Sequence, residues 1–328
     1  MDQSTLQRLG LKLGHYTDEK NLTGLTCFIA RSGAHIGIDV RRSNSGTLNT
    51  AAFDAKGARD IAHSVVLTCG SLFGLESSFG VMQYLDEEEI GYRTRAGIVP
   101  LVTGAVIFDI AVGDGKVRPT KENGYQAAKY SSDTIFDQGN IGVGTGATVG
   151  KWVLGSPMKG GFGIATSTIG EDILVAAFVV TNSVGDIINP KSGKFYSESG
   201  QYSQITENFH PRNGRLTGLI SWTPTNTTLA VVATNIALEK TQLMKVAEQA
   251  HNGMARAIHP IHTNMDGDVV FALSSLSGER RKVPAAASAT IVDLVSLAAG
   301  DAMTKAINNS ILHAQSIPGF PAYDGKQS

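Results

Sequence analysis

Thiols are scarce in this chain: Cys27 and Cys69 are the only cysteines in 328 residues. Two are too few for a disulfide framework, and both lie in apolar stretches, so buried free thiols in a reducing compartment are expected. Charge of either sign in excess is also lacking, since the formal net charge is -1. No basic footprint for nucleic acid and no lipid-binding patch is implied. No run approaches the roughly 18 uninterrupted apolar residues of a membrane span. The opening MDQSTLQRLGLKLGHYTDEK has no apolar stretch of signal length. The expectation is a soluble cytoplasmic protein without a nucleic-acid or membrane partner.

What is present is core material. The chain is 42% hydrophobic and 17% charged, with 37 glycines that follow no fixed period. Such glycines serve turns, bulges and close backbone approaches. Leu25–Ala30 and Ala34–Val40 read as two strands about a Ser-Gly turn, and 60–67 fits either a helix or a strand. A helix is expected over 77–89 and a short one over 123–130. The nearly continuous apolar run 99–110 suggests a buried strand bulged at Gly104, and 172–180 reads as another strand. The polar stretch 186–219 reads as an irregular, exposed connection. Beyond it the order is strand, helix (239–258), strand (269–275), helix (289–311), which predicts a layered α/β arrangement.

Several stretches carry candidate chemistry. GVGTGA, within 142–147, approaches a dinucleotide fingerprint, but SSDTIFDQGN ahead of it is a poor strand. The loop ends in Gly150-Lys151, as a phosphate loop does, yet Thr145 stands where the first glycine is needed and Trp152 where Ser or Thr would meet magnesium. A tight turn explains the loop equally well. So does a loop that brings Lys151 and backbone amides to an oxyanion. His259, His262, Asp266 and Asp268 have the residue types of a metal site but the spacing of no common one. Asp266-Gly267 reads as a turn before a strand; two carboxylates at a strand entrance can also hold an amine. Cys69 precedes a Gly-rich turn with no base in view. Finally, TPTNTTLAVVATN (223–235) changes from turn formers to β-branched residues at Asn226-Thr227-Thr228. A turn entering a strand accounts for this. So does a self-cut before Thr227, because a free α-amine of pKa about 8 would give the poorly nucleophilic threonine hydroxyl an adjacent base.

A set of segments then favours one reading. GHYTDEKNLTG, CGSLFGLESSFGV, EIGYRT, VTGAVIFD, GVGTGATVGK, VVTNSVGD, NTTLAVVATN and HTNMDGD run in order from residue 14 to residue 268. Together they resemble the self-cleaving N-terminal-nucleophile hydrolases related to L-aminopeptidase D-amidase/esterase and the β-aminopeptidases, and most of all their nylon-oligomer hydrolase branch. The resemblance implies an α-β-β-α layered sandwich, a homo-oligomer such as a tetramer, a small peptide or amide substrate, and no cofactor or metal. It makes Thr227 the nucleophile, Asn226 the residue before the cut, Asn182 an oxyanion donor, Lys151 an active-site lysine, and Asp266 and Asp268 the carboxylates beside the nucleophile. Phe108 falls where the nylon-oligomer branch carries a Tyr, which makes it a substrate-pocket residue without a hydroxyl. DVRRSNSGTLNT departs from the usual Arg-Gly-Gly-Ala-Pro-Gly pattern.

The expectation is therefore one hydrolase domain over 1–328, cut into 1–226 and 227–328, acting as an amidohydrolase or aminopeptidase. An acyltransferase of the ornithine acetyltransferase type shares the acyl-enzyme step and remains an alternative. An uncleaved binding protein is another, distinguished by a single full-length band on a denaturing gel.

Overall fold

The computed structural model describes residues 4–41, 44–151, 157–196, 226–282 and 287–324. Short helix α1 (Thr5–Leu9) leads into β1 (Lys12–Asp18), β2 (Thr23–Val40), β3 (Thr47–Leu48) and β4 (Ile61–Thr68). Helix α2 (Glu76–Glu87), the small hairpin β5 (Tyr92–Thr94) and β6 (Gly97–Val99), β7 (Val102–Val106) and helix α3 (Lys121–Lys129) follow. The short pair β8 (Thr148–Val149) and β9 (Met158–Lys159) precedes β10 (Gly161–Ile169), β11 (Ile173–Asn182) and β12 (Asp186–Ile187). The last third holds β13 (Thr227–Thr234), α4 (Lys240–Ala257), β14 (Ile258–His259), β15 (Val269–Ser275) and α5 (Ser288–Leu312).

Among the described residues, hydrogen bonds link eight strands in the order β10-β11-β13-β15-β2-β4-β7-β3, with β1 also paired to β2. The layering follows from alternation along each strand. On β13, Leu229, Val231 and Ala233 face one apolar cluster, while Ala230 and Val232 face another. On β2 and β4, Phe28, Val65 and Leu67 join that first cluster, and Leu25, Cys27, Ile29 and Val66 point away into a third. The first cluster thus lies between two sheet layers, where Phe28 and Phe178 meet edge-to-face at 5.2 Å between ring centres. The second lies under α4 and α5, the third under α2 and α3. This is the α-β-β-α sandwich. Strands such as β13 read as continuous apolar runs because both faces are covered.

Three expectations need correction. The two strands about a Ser-Gly turn are one strand, β2, whose register shifts between Ile29 and Ala34. Its first part pairs with β1 and β4 and its last part with β15, so one strand belongs to both layers. At Gly37 in the last part a Cβ would stand 2.1 Å from the backbone nitrogen of Met244, so α4 packs on β2 backbone to backbone. The apolar run 99–110 contributes a strand only over Val102–Val106; Gly104 sits in register with both Val66 and Leu48, without a bulge. The ambiguous 60–67 stretch is strand β4. The start of the expected 186–219 connection holds β12, paired with β14, and residues 197–219 lie outside the described residues, as do Trp152 and the Thr223-Pro224-Thr225 approach. No helix among the described residues is long and apolar enough to cross a membrane.

Candidate active site

Strand β13 begins at Thr227, and β11 ends at Asn182; these two residues are the last antiparallel pair of the β11–β13 ladder. By alternation both side chains point into the layer between the sheets, at its mouth. Thr227 and Asn226 are buried, and the Thr227 hydroxyl lies against the Asn226 carbonyl. On the other side of β13 runs β15 in parallel, with Leu229 opposite Val269. That register brings Asp268, just ahead of β15, to the backbone of Thr228, whose N–H donates to Asp268 Oδ1 at 2.7 Å.

Asn182 is held at every polar atom. Its Oδ1 accepts from the Thr148 N–H at 3.0 Å and from Lys151 Nζ at 2.9 Å, and its Nδ2 donates to the Phe108 carbonyl at 3.1 Å. Lys151 Nζ also donates to the Asn182 carbonyl at 3.2 Å. Burial pulls the Lys151 pKa down to about 7, against the attraction of Asp266 and Asp109. The expected glycine loop therefore has a position: a short 3-10 turn over Gly142–Gly144, then β8, lying against the end of β11. Among the described residues it follows no strand and opens no α-helix, which disfavours the dinucleotide reading.

The two carboxylates, Asp266 and Asp268, are fully buried. Asp266 Oδ2 accepts from both the N–H and the hydroxyl of Thr263 at 2.8 Å. Burial, reinforced by the charge of Asp268, raises the Asp266 pKa. Asp268 Oδ2 accepts from His262 Nδ1 at 2.7 Å. His259 lies apart from this pair, in register with Asp186 on the β12–β14 ladder. Cys69 is buried, its Sγ directed at the Val143 carbonyl, and burial first, then Asp109, pushes its pKa well up. A thiolate nucleophile is disfavoured there.

Thr227, Asn182, Lys151, Asp268 and the Phe108 carbonyl thus form one connected constellation, with Asp266 next to it. Three supports escaped the sequence reading. Lys159, fully buried, donates to the carbonyls of Gly144 at 2.8 Å and of Ala147 and Gly160 at 2.9 Å, fixing the glycine loop. Asp109 accepts from the Gly70 N–H at 2.7 Å. His262 was visible only as half of an unconvincing metal pair. The available signal was a charge stranded in apolar or glycine-rich sequence, as in PMKGG and VIFDI.

Known proteins define the family and share the fold. The chain belongs to peptidase family S58, whose profile matches residues 9–324. An uncharacterised aminopeptidase of Mycobacterium leprae is 34% identical over 96% of this chain and 92% of its own. A 6-aminohexanoate-oligomer endohydrolase of Kocuria sp. is 31% identical over 81% of this chain and 73% of its own. In fold, the chain resembles the L-aminopeptidase D-Ala-esterase/amidase of Ochrobactrum anthropi, described as a variant of the Ntn hydrolase fold, with a TM-score of 0.70 at 20% identity, covering 96% of this chain and 88% of the other. Family membership makes this chain an amidohydrolase of the aminopeptidase kind.

Proposed function

We propose that the chain matures by cutting itself between Asn226 and Thr227 and then hydrolyses small peptides or amides with the new N-terminal threonine. The observation that carries the reading is the place of Thr227, buried at the root of β13 and directly across the ladder from Asn182. In maturation, Thr227 Oγ1 attacks the Asn226 carbonyl carbon, the C–N bond breaks, and the acyl group passes to oxygen as an ester. Water then opens the ester, leaving a carboxylate on Asn226 and a free amine on Thr227. In turnover that amine takes the hydroxyl proton as the oxygen attacks the substrate amide, and the proton passes to the leaving amine. Water releases the acyl group.

The supporting groups have roles that fit their positions. Asn182 lies across the ladder from Thr227 and Lys151 brings positive charge to the same end, which suits stabilisation of the oxyanion. Asp266 and Asp268 supply negative charge that favours a protonated Thr227 amine and orients it. Phe108 offers its backbone carbonyl to Asn182, which supports its assignment to the substrate pocket.

The test is intact-mass analysis of the purified protein with N-terminal sequencing of the smaller fragment. Two fragments whose masses sum to the precursor plus one water, the smaller beginning TTLAVV, are expected. A different new terminus, or a full-length chain that turns over short amides, overturns the assignment. Release of amine from a panel of p-nitroanilides and short amides then defines the substrate; transfer to an added amino acid in place of water would identify an acyltransferase.

A further inference from the structure

Asp268 has two oxygens and two partners. Oδ1 accepts the N–H of Thr228, the residue after the proposed nucleophile, at 2.7 Å. Oδ2 accepts His262 Nδ1 at 2.7 Å, and this pair is sheltered, with side-chain exposures of 14% for His262 and 0% for Asp268. A carboxylate only accepts, so Nδ1 must carry the hydrogen. His262 is held from two sides. Its backbone takes the left-handed conformation, φ 55°, immediately before Thr263, which is tied to Asp266 by two hydrogen bonds. Its ring meets that of His251, on α4, edge-on at 4.8 Å. His251 in turn has Nε2 at 3.4 Å from the Asp39 carbonyl on β2. The orientation of Asp268 is thus referred back to α4 and β2 through two imidazoles.

We propose that His262 is a positioning residue for both cleavage and turnover, acting through Asp268. Its N–H fixes the rotation of the Asp268 carboxylate, so that Oδ1 pins the Thr228 amide and the negative charge stays beside the Thr227 nitrogen. This rests on the reading of Thr227 as the nucleophile. Without the His262 donor, Asp268 Oδ2 loses its partner in a dry site, and the carboxylate turns to find another. Small displacements at a reacting centre cost up to about a hundredfold in rate. His251 keeps a supporting place only: burial, before any charge effect, lowers its pKa to about 3, so it stays neutral and brings no positive charge to the ring of His262.

The test compares His262→Gly, His262→Asn, Asp268→Asn and the double variant His262→Gly/Asp268→Asn. Glycine accepts the left-handed backbone but has no donor; asparagine accepts that backbone and carries a donor near the Nδ1 position. Precursor half-life, kcat, KM and Tm are measured for each. The expected result is a loss of roughly tenfold to a hundredfold in kcat for His262→Gly with little change in KM. His262→Asn should recover most of that loss, and the double variant should be no slower than Asp268→Asn alone, because both changes break one linkage. Where a variant does not mature, the same comparison is read from the rate of precursor cleavage. A parental rate in His262→Gly beside a slow Asp268→Asn, an asparagine variant as slow as glycine, or additive losses in the double variant each overturn the positioning role and leave the nucleophile assignment standing. A parental rate in Asp268→Asn overturns the reading of the site itself, and His262 with it.

Discussion

Asn182 and Thr227 face each other across the end of the β11–β13 ladder, so the proposed oxyanion donor and the proposed nucleophile are set by a single strand register. A slip of one residue in either strand would turn its member of the pair away from the inter-sheet layer. The Asn182 amide has separable halves, since Oδ1 receives Thr148 and Lys151 while Nδ2 serves the Phe108 carbonyl. Asn182→Asp keeps the acceptor and removes the donor. We expect it to lose about 3 kcal/mol of transition-state stabilisation, roughly a hundredfold in turnover, with a small change in Tm. Asn182→Leu removes both halves and should lower Tm as well, because the Thr148 N–H is then buried without a partner. Equal turnover in Asn182→Asp and parent would take the amide out of the mechanism.

Lys151 sets a pH limb. Burial brings its pKa to about 7, so it is protonated below that value and neutral above it. If its charge assists the oxyanion, precursor cleavage slows as pH rises through about 7. Asp266 attracts the ammonium form, so Asp266→Asn should move the limb to lower pH. Cleavage rates from pH 5 to 9 in both proteins check the two signs together. A rate that climbs through the same range would make neutral Lys151 a base.

Lys159 is a structural donor, with a pKa that burial lowers to about 7. Replacing it with Met leaves the carbonyls of Gly144, Ala147 and Gly160 without their buried donor. The Ala147 and Gly144 carbonyls keep the backbone N–H groups of Gly160 and Ala147, so a loss of about 1 to 2 kcal/mol is expected from urea unfolding of the precursor. Cleavage should slow too, since the same loop delivers the Thr148 N–H to Asn182.

Thr228 gives the opposite outcome. Its side chain is on the opposite face of β13 from that of Thr227, fully buried, and its hydroxyl has no hydrogen-bond partner among the described residues. Thr228→Val keeps the shape and removes the unsatisfied group, so stability should hold or rise by about 1 kcal/mol. A lower Tm would show that the hydroxyl is needed.

Where side chains alternate or recur at helical spacing, the chain was readable before folding. The run from Thr227, the 239–258 helix and the strand after Asp268 all appear within a residue or two of their observed limits. Long-range register was not readable. Nothing local in Arg31-Ser32-Gly33 says that the chain passes from one layer to the other while staying extended, because the deciding contacts are with β4 and β15. His262 eluded the reading for the same reason. Its partner is only six residues away, but its direction depends on a left-handed backbone and on His251 of α4. Lys159 drew no reading from the sequence, because the carbonyls that hold it come together only in the fold.

Strand β13 lies between β11 and β15, in the interior of the sheet. A cut before Thr227 therefore severs the backbone at the root of a central strand. The piece that begins there brings β13, β15 and the whole α4–α5 layer. The other piece brings β11 and β2, which flank those two strands. Neither can cover its apolar faces alone, so the pieces stay bound after the cut. Their reassembly from a denatured state would be second order in protein concentration, whereas the uncut chain meets itself at any dilution. If the chain is cut as proposed, the precursor is the form able to find the fold from an isolated molecule, and the cut would commit each molecule to a structure it could no longer rebuild unaided.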